Sequence, residues 1–453
     1  MGRITLAQAA QWCGGQVRPE YKDVTFLGAC NDTRKLQPGQ LFVALAGARD
    51  GHDFIPAALE KGAAAVLCTH CDGDYPAIVV PDTRIALGEI ARQERLRIGM
   101  KVVGITGSVG KSTTKEMVCT VLGTTYRVAK TPANHNNDIG MPMAILSMPE
   151  DTQVAVLEMG MNHFREIAYL TSIGKPDLAV IVNIGTMHIE HLGSREGILQ
   201  AKLEIVEGMP RDGKLILNGD EPLLWNVRDQ QKQQVICFGQ DNEQCQVRGT
   251  NVSQREGQLH FDVCTAAESC TVTLPLEGAH YVSDALAAIA VGLEMGVPPE
   301  KIQSSLAAFE TMSGRQEILQ KNGFTLICDY YNAGPESMAA ALSVLGNKSG
   351  RRIAVLGDML ELGHNTQAEH YRVGRIAAEK ADLVFAYGPN SVRVLNGCLT
   401  GGMSQSDARA FTDRDRLTAV LRQVAKPGDV LLFKGSRGMK MELILEKFLA
   451  EDK

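Results

Sequence analysis

The sequence lacks several features that would place it outside the ordinary globular class. No apolar stretch approaches the roughly 20 residues of a membrane-spanning helix. The opening residues, Met1-Gly2-Arg3-Ile4-Thr5-Leu6, hold neither a signal-peptide core nor the Ser/Thr of a myristoylation site. No run of Lys and Arg forms a stripe, and 46 basic residues face 52 acidic ones for a formal charge of -6. Tracking along a phosphate backbone is therefore not expected, and nucleic acid is excluded as a partner. There is no internal repeat and no low-complexity linker. The 11 cysteines are scattered and odd in number. Cys68 and Cys71 have CxxC spacing, but no second pair stands at zinc-ribbon distance, so they read as two buried thiols. The expected compartment is a reducing cytoplasm, and the expected state a monomer.

What is present is a chain of 453 residues, which at roughly 150 per domain suggests about three domains. With 44% hydrophobic and 22% charged residues it can bury ordinary cores. Glycine is in surplus, 45 residues or about 10% against an average near 7%. That surplus is expected in loops where backbone must approach something closely.

Residues 1–98 read as a small mixed α/β module closed by a charged helix from Ile85 to Arg97. Residues 99–313 alternate strand and helix. The runs 154–157 and 178–182 are short, β-branched and apolar, as buried parallel strands are. Residues 215–218 supply another strand, a period-two pattern between 235 and 276 suggests an antiparallel insertion, and an Ala-rich helix follows from Ser283 to Met295. Residues 314–453 alternate again, with apolar runs at 324–328, 353–356, 383–386 and 430–433. The expected fold class is α/β in three domains: the small mixed domain, a central P-loop mononucleotide-binding domain with a mostly parallel sheet, and a Rossmann-like C-terminal domain.

The strongest local signal is Gly104-Ile105-Thr106-Gly107-Ser108-Val109-Gly110-Lys111-Ser112-Thr113-Thr114, between an expected strand and an expected helix. Glycines let backbone N–H groups curl around phosphate oxygens, Lys111 can neutralise them, and the Ser112 hydroxyl can reach Mg2+. Because residue 105 is Ile, the spacing is a G-x-x-G-x-x-G-K-S variant of the P-loop. Glu158 ends the apolar run 154–157, where a lone carboxylate would be costly, and a hard metal ion explains it. His188 and His191 stand three apart beyond the strand 178–182, near the same expected edge.

These stretches, with Asn134-His135-Asn136-Asn137-Asp138-Ile139-Gly140-Met141-Pro142, Leu157-Glu158-Met159-Gly160 and Gln200-Ala201-Lys202-Leu203-Glu204, resemble the Mur ligase family of ATP-dependent amide-forming enzymes. Asp32-Thr33-Arg34-Lys35, Asp329-Tyr330-Tyr331-Asn332-Ala333-Gly334-Pro335, Gly357-Asp358-Met359 and Lys434-Gly435-Ser436-Arg437 carry the likeness through all three expected domains. They point to the branch that adds D-alanyl-D-alanine to UDP-N-acetylmuramoyl-tripeptide.

The resemblance implies ATP held by Gly107, Ser108, Val109, Gly110, Lys111, Ser112 and Thr113, with His280 and Asp284 toward the adenine. Asp329 matches the ribose-binding aspartate, Tyr331 and Asn332 face the nucleoside, and Arg315 reaches the phosphates from the C-terminal side. Two Mg2+ ions are implied, one at Ser112 and Glu158, the other at His188 and a carbamylated Lys202. Asn137 lies near the transferring phosphoryl group with Lys111. Asp32, Thr33 and Arg34 belong to the uridine-nucleotide domain, Asn134 and Asn136 to substrate binding, and Lys434, Ser436 and Arg437 to the incoming dipeptide. The sequence departs from the family at Val109 and Gly334, where Asn is usual, and at 278–284, where both asparagines of the adenine motif are replaced. The alternatives are a related ligase adding one amino acid, a folylpolyglutamate synthase-like ligase, or a P-loop regulator that makes no amide bond.

Overall fold

The structure, a computed structural model, describes residues 4–47, 49–266 and 269–450. They fall into two compact units. One comprises Met1–Val182, Gln200–Val247 and Leu286–Ser305, the other Asn183–Leu199, Arg248–Ala285 and Leu306–Lys453.

The first unit begins with a four-stranded parallel sheet, Ala29–Cys30, Leu41–Val43, Ala65–Cys68 and Ala77–Val79 in that order. Cys68 is buried and Cys71 half-buried, both as free thiols, and burial pushes Cys68 up to about 12. The closing helix runs Thr83–Ile98, two residues longer at its start than the sequence suggests, because the Asp82 carboxylate accepts from the N–H groups of Arg84 and Ile85. Its apolar stripe runs through Ala86, Leu87, Ile90 and Ala91, and Ile85 faces solvent. Gly99, at φ 73°, ends it in the left-handed turn that glycine tolerates. Arg95 then donates to the carbonyls of Gly174 and Lys175, pinning the module to the sheet that follows.

That central sheet has six parallel strands in the order Gln234–Gly239, Lys214–Asn218, Leu178–Ile181, Lys101–Thr106, Val154–Glu158, Val128–Lys130. Lys101–Thr106 comes first in the chain. The next two strands lie on one side of it and the later ones on the other. Such a reversal opens a crevice at the strands' carboxyl ends, where α/β sheets take ligands. The glycine-rich loop leaves from that end. Gly104 belongs to the strand, not the loop: a Cβ there would lie 3.2 Å from Pro176 and 3.4 Å from Ile205 and Met159.

In the second unit, Val247–Arg255, Gln258–Cys264 and Ser269–Leu274 form an antiparallel meander. The period-two reading therefore holds for the later part of 235–276, whereas Gln234–Gly239 is a parallel strand of the central sheet. The Ala-rich helix runs His280–Glu294. The C-terminal sheet is ordered Glu317–Lys321, Phe324–Asp329, Val430–Lys434, Arg352–Gly357, Leu383–Tyr387, Ala408–Phe411, parallel except for its first strand. Its two edge strands lack continuous apolar runs and escaped the sequence reading. The last strand of the chain inserts in the middle, placing Lys434 between Asp329 and Leu356. Among the described residues no helix is long and apolar enough to cross a membrane.

Candidate active site

The glycine-rich loop is built by its last glycine. Gly110 sits at φ 84°, a conformation side chains rarely adopt, and lets the chain turn straight into the helix Lys111–Gly123. Lys111 folds back over the loop, its Nζ donating to the carbonyls of Gly107 (2.7 Å) and Ser108 (3.2 Å). Gly107 and Ser108 are buried, while Val109, Gly110 and Thr113 are partly open. A loop whose N–H groups are presented at a helix start, with an ammonium above it, suits a phosphate chain.

Ser112 is the second helical residue, and its Oγ donates to Glu158 Oε2 at 2.7 Å. Glu158 ends its strand with only 2% of its surface exposed. Asn136 Nδ2 donates to its other oxygen at 2.9 Å. Burial pushes the carboxyl up, but the charges of Lys111 and Lys115 and the bonds from Ser112 and Asn136 outweigh it, holding the group below the ordinary carboxylate range. Glu158 is therefore an ionised carboxylate beside a hydroxyl, a hard-oxygen set that fits Mg2+.

Lys115 and Thr131 complete this cluster and were not singled out from the sequence. Lys115 is fully buried, with Nζ 3.5 Å from Glu158 Oε2 and donating to Thr131 O at 2.9 Å. The Thr131 hydroxyl accepts from the Glu158 N–H. The signal was there: Lys115 follows Lys111 by four residues, the spacing that puts two side chains on one helix face.

Lys202, in the helix Arg195–Leu203, is 2% exposed and not a solvated helix lysine. Burial, aided by the charge of Lys111, pulls its ammonium well below the ordinary lysine value, toward the neutral amine. Asn137 Oδ1 accepts from Gly140 N–H at 2.8 Å and so starts the helix Gly140–Leu146, while Asn134 is exposed. In the N-terminal module the Asp32 carboxylate takes three bonds from Arg34 and is lowered to about 2, chiefly by the Arg34 side chain. The Thr33 carbonyl accepts from Lys61.

In the second unit, His188 has a positive φ of 64°, and its Nδ1 lies 2.7 Å from Glu361 Oε2, close enough for charge contact though not aligned as a hydrogen bond. His191 is exposed on the turn of helix that follows. Arg315 stacks over the Tyr331 ring at 3.9 Å. Asn332 is exposed, Asp284 buried, and the exposed His280 ring lies against Tyr281. Lys434 is 2% exposed; its Nζ donates to Asp329 Oδ2 at 2.6 Å and to the Asn332 carbonyl at 3.1 Å. Its donors are engaged with Asp329 and Asn332. Ser436 is also buried, bridging Leu360 N–H and the Ala333 carbonyl, and Arg437 alone is exposed, paired with Glu442. Gly334 has a steric reason: a Cβ there would lie 2.8 Å from Met187. A concavity of about 310 Å³ on the antiparallel meander, lined by Asn251, Arg255, His260 and Asp262, holds none of the candidate residues.

Three family models match the chain: the Mur ligase family catalytic domain over residues 23–95, the Mur ligase middle domain over 105–292, and the Mur ligase glutamate ligase domain over 314–437. The UDP-N-acetylmuramoyl-tripeptide–D-alanyl-D-alanine ligase of Bacillus subtilis is 41% identical over 459 residues, covering 99% of each chain. The enzyme of the same name from Escherichia coli is 36% identical, covering 98% of this chain and 97% of its own. A crystal structure of MurF from Acinetobacter baumannii superposes with a TM-score of 0.91 at 32% identity, covering all of both chains. The MurF ligase of Thermotoga maritima, solved with ADP, gives 0.81 at 29% identity over 93% of this chain and 97% of its own.

Proposed function

The chain belongs to the Mur ligase family and is an ATP-dependent ligase; on that premise we propose that it joins D-alanyl-D-alanine to UDP-N-acetylmuramoyl-tripeptide, giving the UDP-MurNAc-pentapeptide of peptidoglycan synthesis. The observation that carries the site reading is the ionised Glu158 held beside Ser112 at the end of the strand next to the phosphate loop.

In this reading a tripeptide carboxylate oxygen attacks the γ-phosphorus and the bond to ADP breaks, leaving an acyl phosphate. The dipeptide amine attacks the acyl carbon, gives up a proton, and phosphate leaves with that carboxylate oxygen. Lys111 exchanges its two carbonyl partners for phosphate oxygens, and the loop N–H groups hold the rest. Divalent ions would supply neutralisation of charge on the phosphoryl and carboxylate oxygens; Ser112 and Glu158 would hold one, a carbamate on Lys202 would offer oxygens to a second, and the His188 imidazole is a further ligand type. That carbamate would form when the neutral Nζ attacks CO2 and loses a proton, which converts an amine with one lone pair into a group with two acceptor oxygens. Asn137 fixes the 136–140 turn, and Arg315, braced on Tyr331, presents a guanidinium suited to phosphate oxygens. Lys434 acts as a strut that orients Asp329 toward the ribose, Ser436 ties the turn together, and the exposed Arg437 is left for the dipeptide side.

Residues 1–98 serve the uridine nucleotide, 99–313 ATP, and 314–453 the dipeptide. The enzyme works as a monomer in the cytoplasm. Phosphate release measured with UDP-MurNAc-tripeptide, with and without D-Ala-D-Ala, tests the reading. Release is expected only with both substrates, and ATP turnover that ignores either one sinks it.

A further inference from the structure

Lys115 has no part in the reaction just described, yet it is the most completely enclosed charge in the cluster. Enclosing an ammonium is costly, and an apolar side chain of similar length would fill the same space without that cost. Its surroundings say what the charge does. Nζ lies 3.5 Å from Glu158 Oε2 and 3.5 Å from Glu116 Oε1, and bonds the Thr131 carbonyl at 2.9 Å. Glu116 is itself paired with Lys130, so its charge is already shared. Glu158 therefore faces two ammonium groups, Lys111 and Lys115, both of which lower its pKa. Before nucleotide arrives, one carboxylate is set against two cations. A bare divalent ion entering there meets net positive charge in a water-poor site, where such repulsion is strong. The phosphates of a nucleotide reverse the sign.

We infer that Lys115 is a positioning residue that orders metal binding: its charge and its bond to Thr131 fix the Glu158 carboxylate while closing the nucleotide-free site to divalent cations, so the ion enters only with a nucleotide's phosphates. The inference rests on the reading of Ser112 and Glu158 as metal ligands. It goes beyond that reading by naming what keeps the ligands empty until phosphate is present.

The test uses Mn2+ as probe on the full chain, with water-proton relaxation separating protein-bound Mn2+ from free and nucleotide-bound Mn2+. The wild-type protein is expected to take up no Mn2+ at this site without nucleotide and to take it up with ADP. Saturable uptake by the wild type without nucleotide overturns the inference, whatever the variants do. Lys115→Met is expected to bind Mn2+ without ADP roughly tenfold or more tightly than the wild type, and Lys115→Arg to behave as the wild type. An unchanged Lys115→Met that still binds ADP, or an Arg variant as open as the Met one, also overturns it. Glu158→Gln separates the two layers: if ADP-dependent uptake survives that change, the metal-ligand reading fails rather than the role of Lys115.

Discussion

Two lysine–carboxylate pairs stand at the carboxyl ends of parallel strands, one in each unit. In the first, Lys115 Nζ lies 3.5 Å from Glu158; in the second, Lys434 Nζ lies 2.6 Å from Asp329. Both lysines are buried. The C-terminal pair is closed on itself: strand register sets Lys434 directly beside Asp329, and its remaining bonds go to backbone carbonyls. The central pair is looser, and the partners of Glu158 are a hydroxyl and an amide, side chains that can turn toward a cation. The same pairing of charges thus braces one site and, in the other, leaves the carboxylate beside side chains that suit a cation. Pairing alone does not mark function.

The comparison breaks most easily at Glu158. Glu158→Gln is expected to lower the rate of synthesis roughly 1,000-fold or more, while melting temperature falls less than it does in Lys434→Met. A larger loss of stability than of activity would make the central pair a brace as well. The sign of its pH dependence follows from the lowered carboxyl. The stability it contributes is present above the unfolded value of about 4.3 and is lost as pH falls through the lower folded value.

Next in size is Lys202→Ala, expected to cut synthesis by roughly 100-fold or more, with added short carboxylic acids partly restoring it. Full activity without them would remove the carbamate from the account. Because folding depresses the Lys202 ammonium, the unfolded chain binds that proton more tightly. Stability therefore rises with pH between the lowered folded value and the unfolded value of about 10.4. Unfolding by urea across alkaline pH should show a shallower rise in the variant.

Lys434→Met sharpens the other side. It is expected to cost about 3 kcal/mol in urea unfolding, because Asp329 keeps its charge and loses its cation. Adding Asp329→Asn should recover part of that loss. A single variant of wild-type stability would refute the strut. The smallest effect is Ser112→Ala, expected to raise the Mg2+ concentration needed for half-maximal activity roughly tenfold, which a metal titration at saturating ATP reads directly.

The glycine-rich loop, the strand-end position of Glu158 and the four inner C-terminal strands were legible in the sequence because each is a local pattern: a glycine spacing between strand and helix, or an apolar run. Lys115 and the Lys434–Asp329 pair were not, because a buried lysine looks like a surface one until its partners 43 and 105 residues away are known. Lys202 shows the same limit, since only the resemblance, and no local pattern, singled it out. Gly104 erred the other way: proximity to the loop suggested phosphate, and only the packing of Pro176, Ile205 and Met159 around it revealed a strand glycine.

The central claim is that amide formation here passes through an acyl phosphate, and oxygen-18 in the tripeptide's terminal carboxylate tests it most directly. Mass analysis of the phosphate released during synthesis is predicted to find one carboxylate-derived label in each phosphate formed. Unlabelled phosphate, with pentapeptide made at the normal rate, would contradict it.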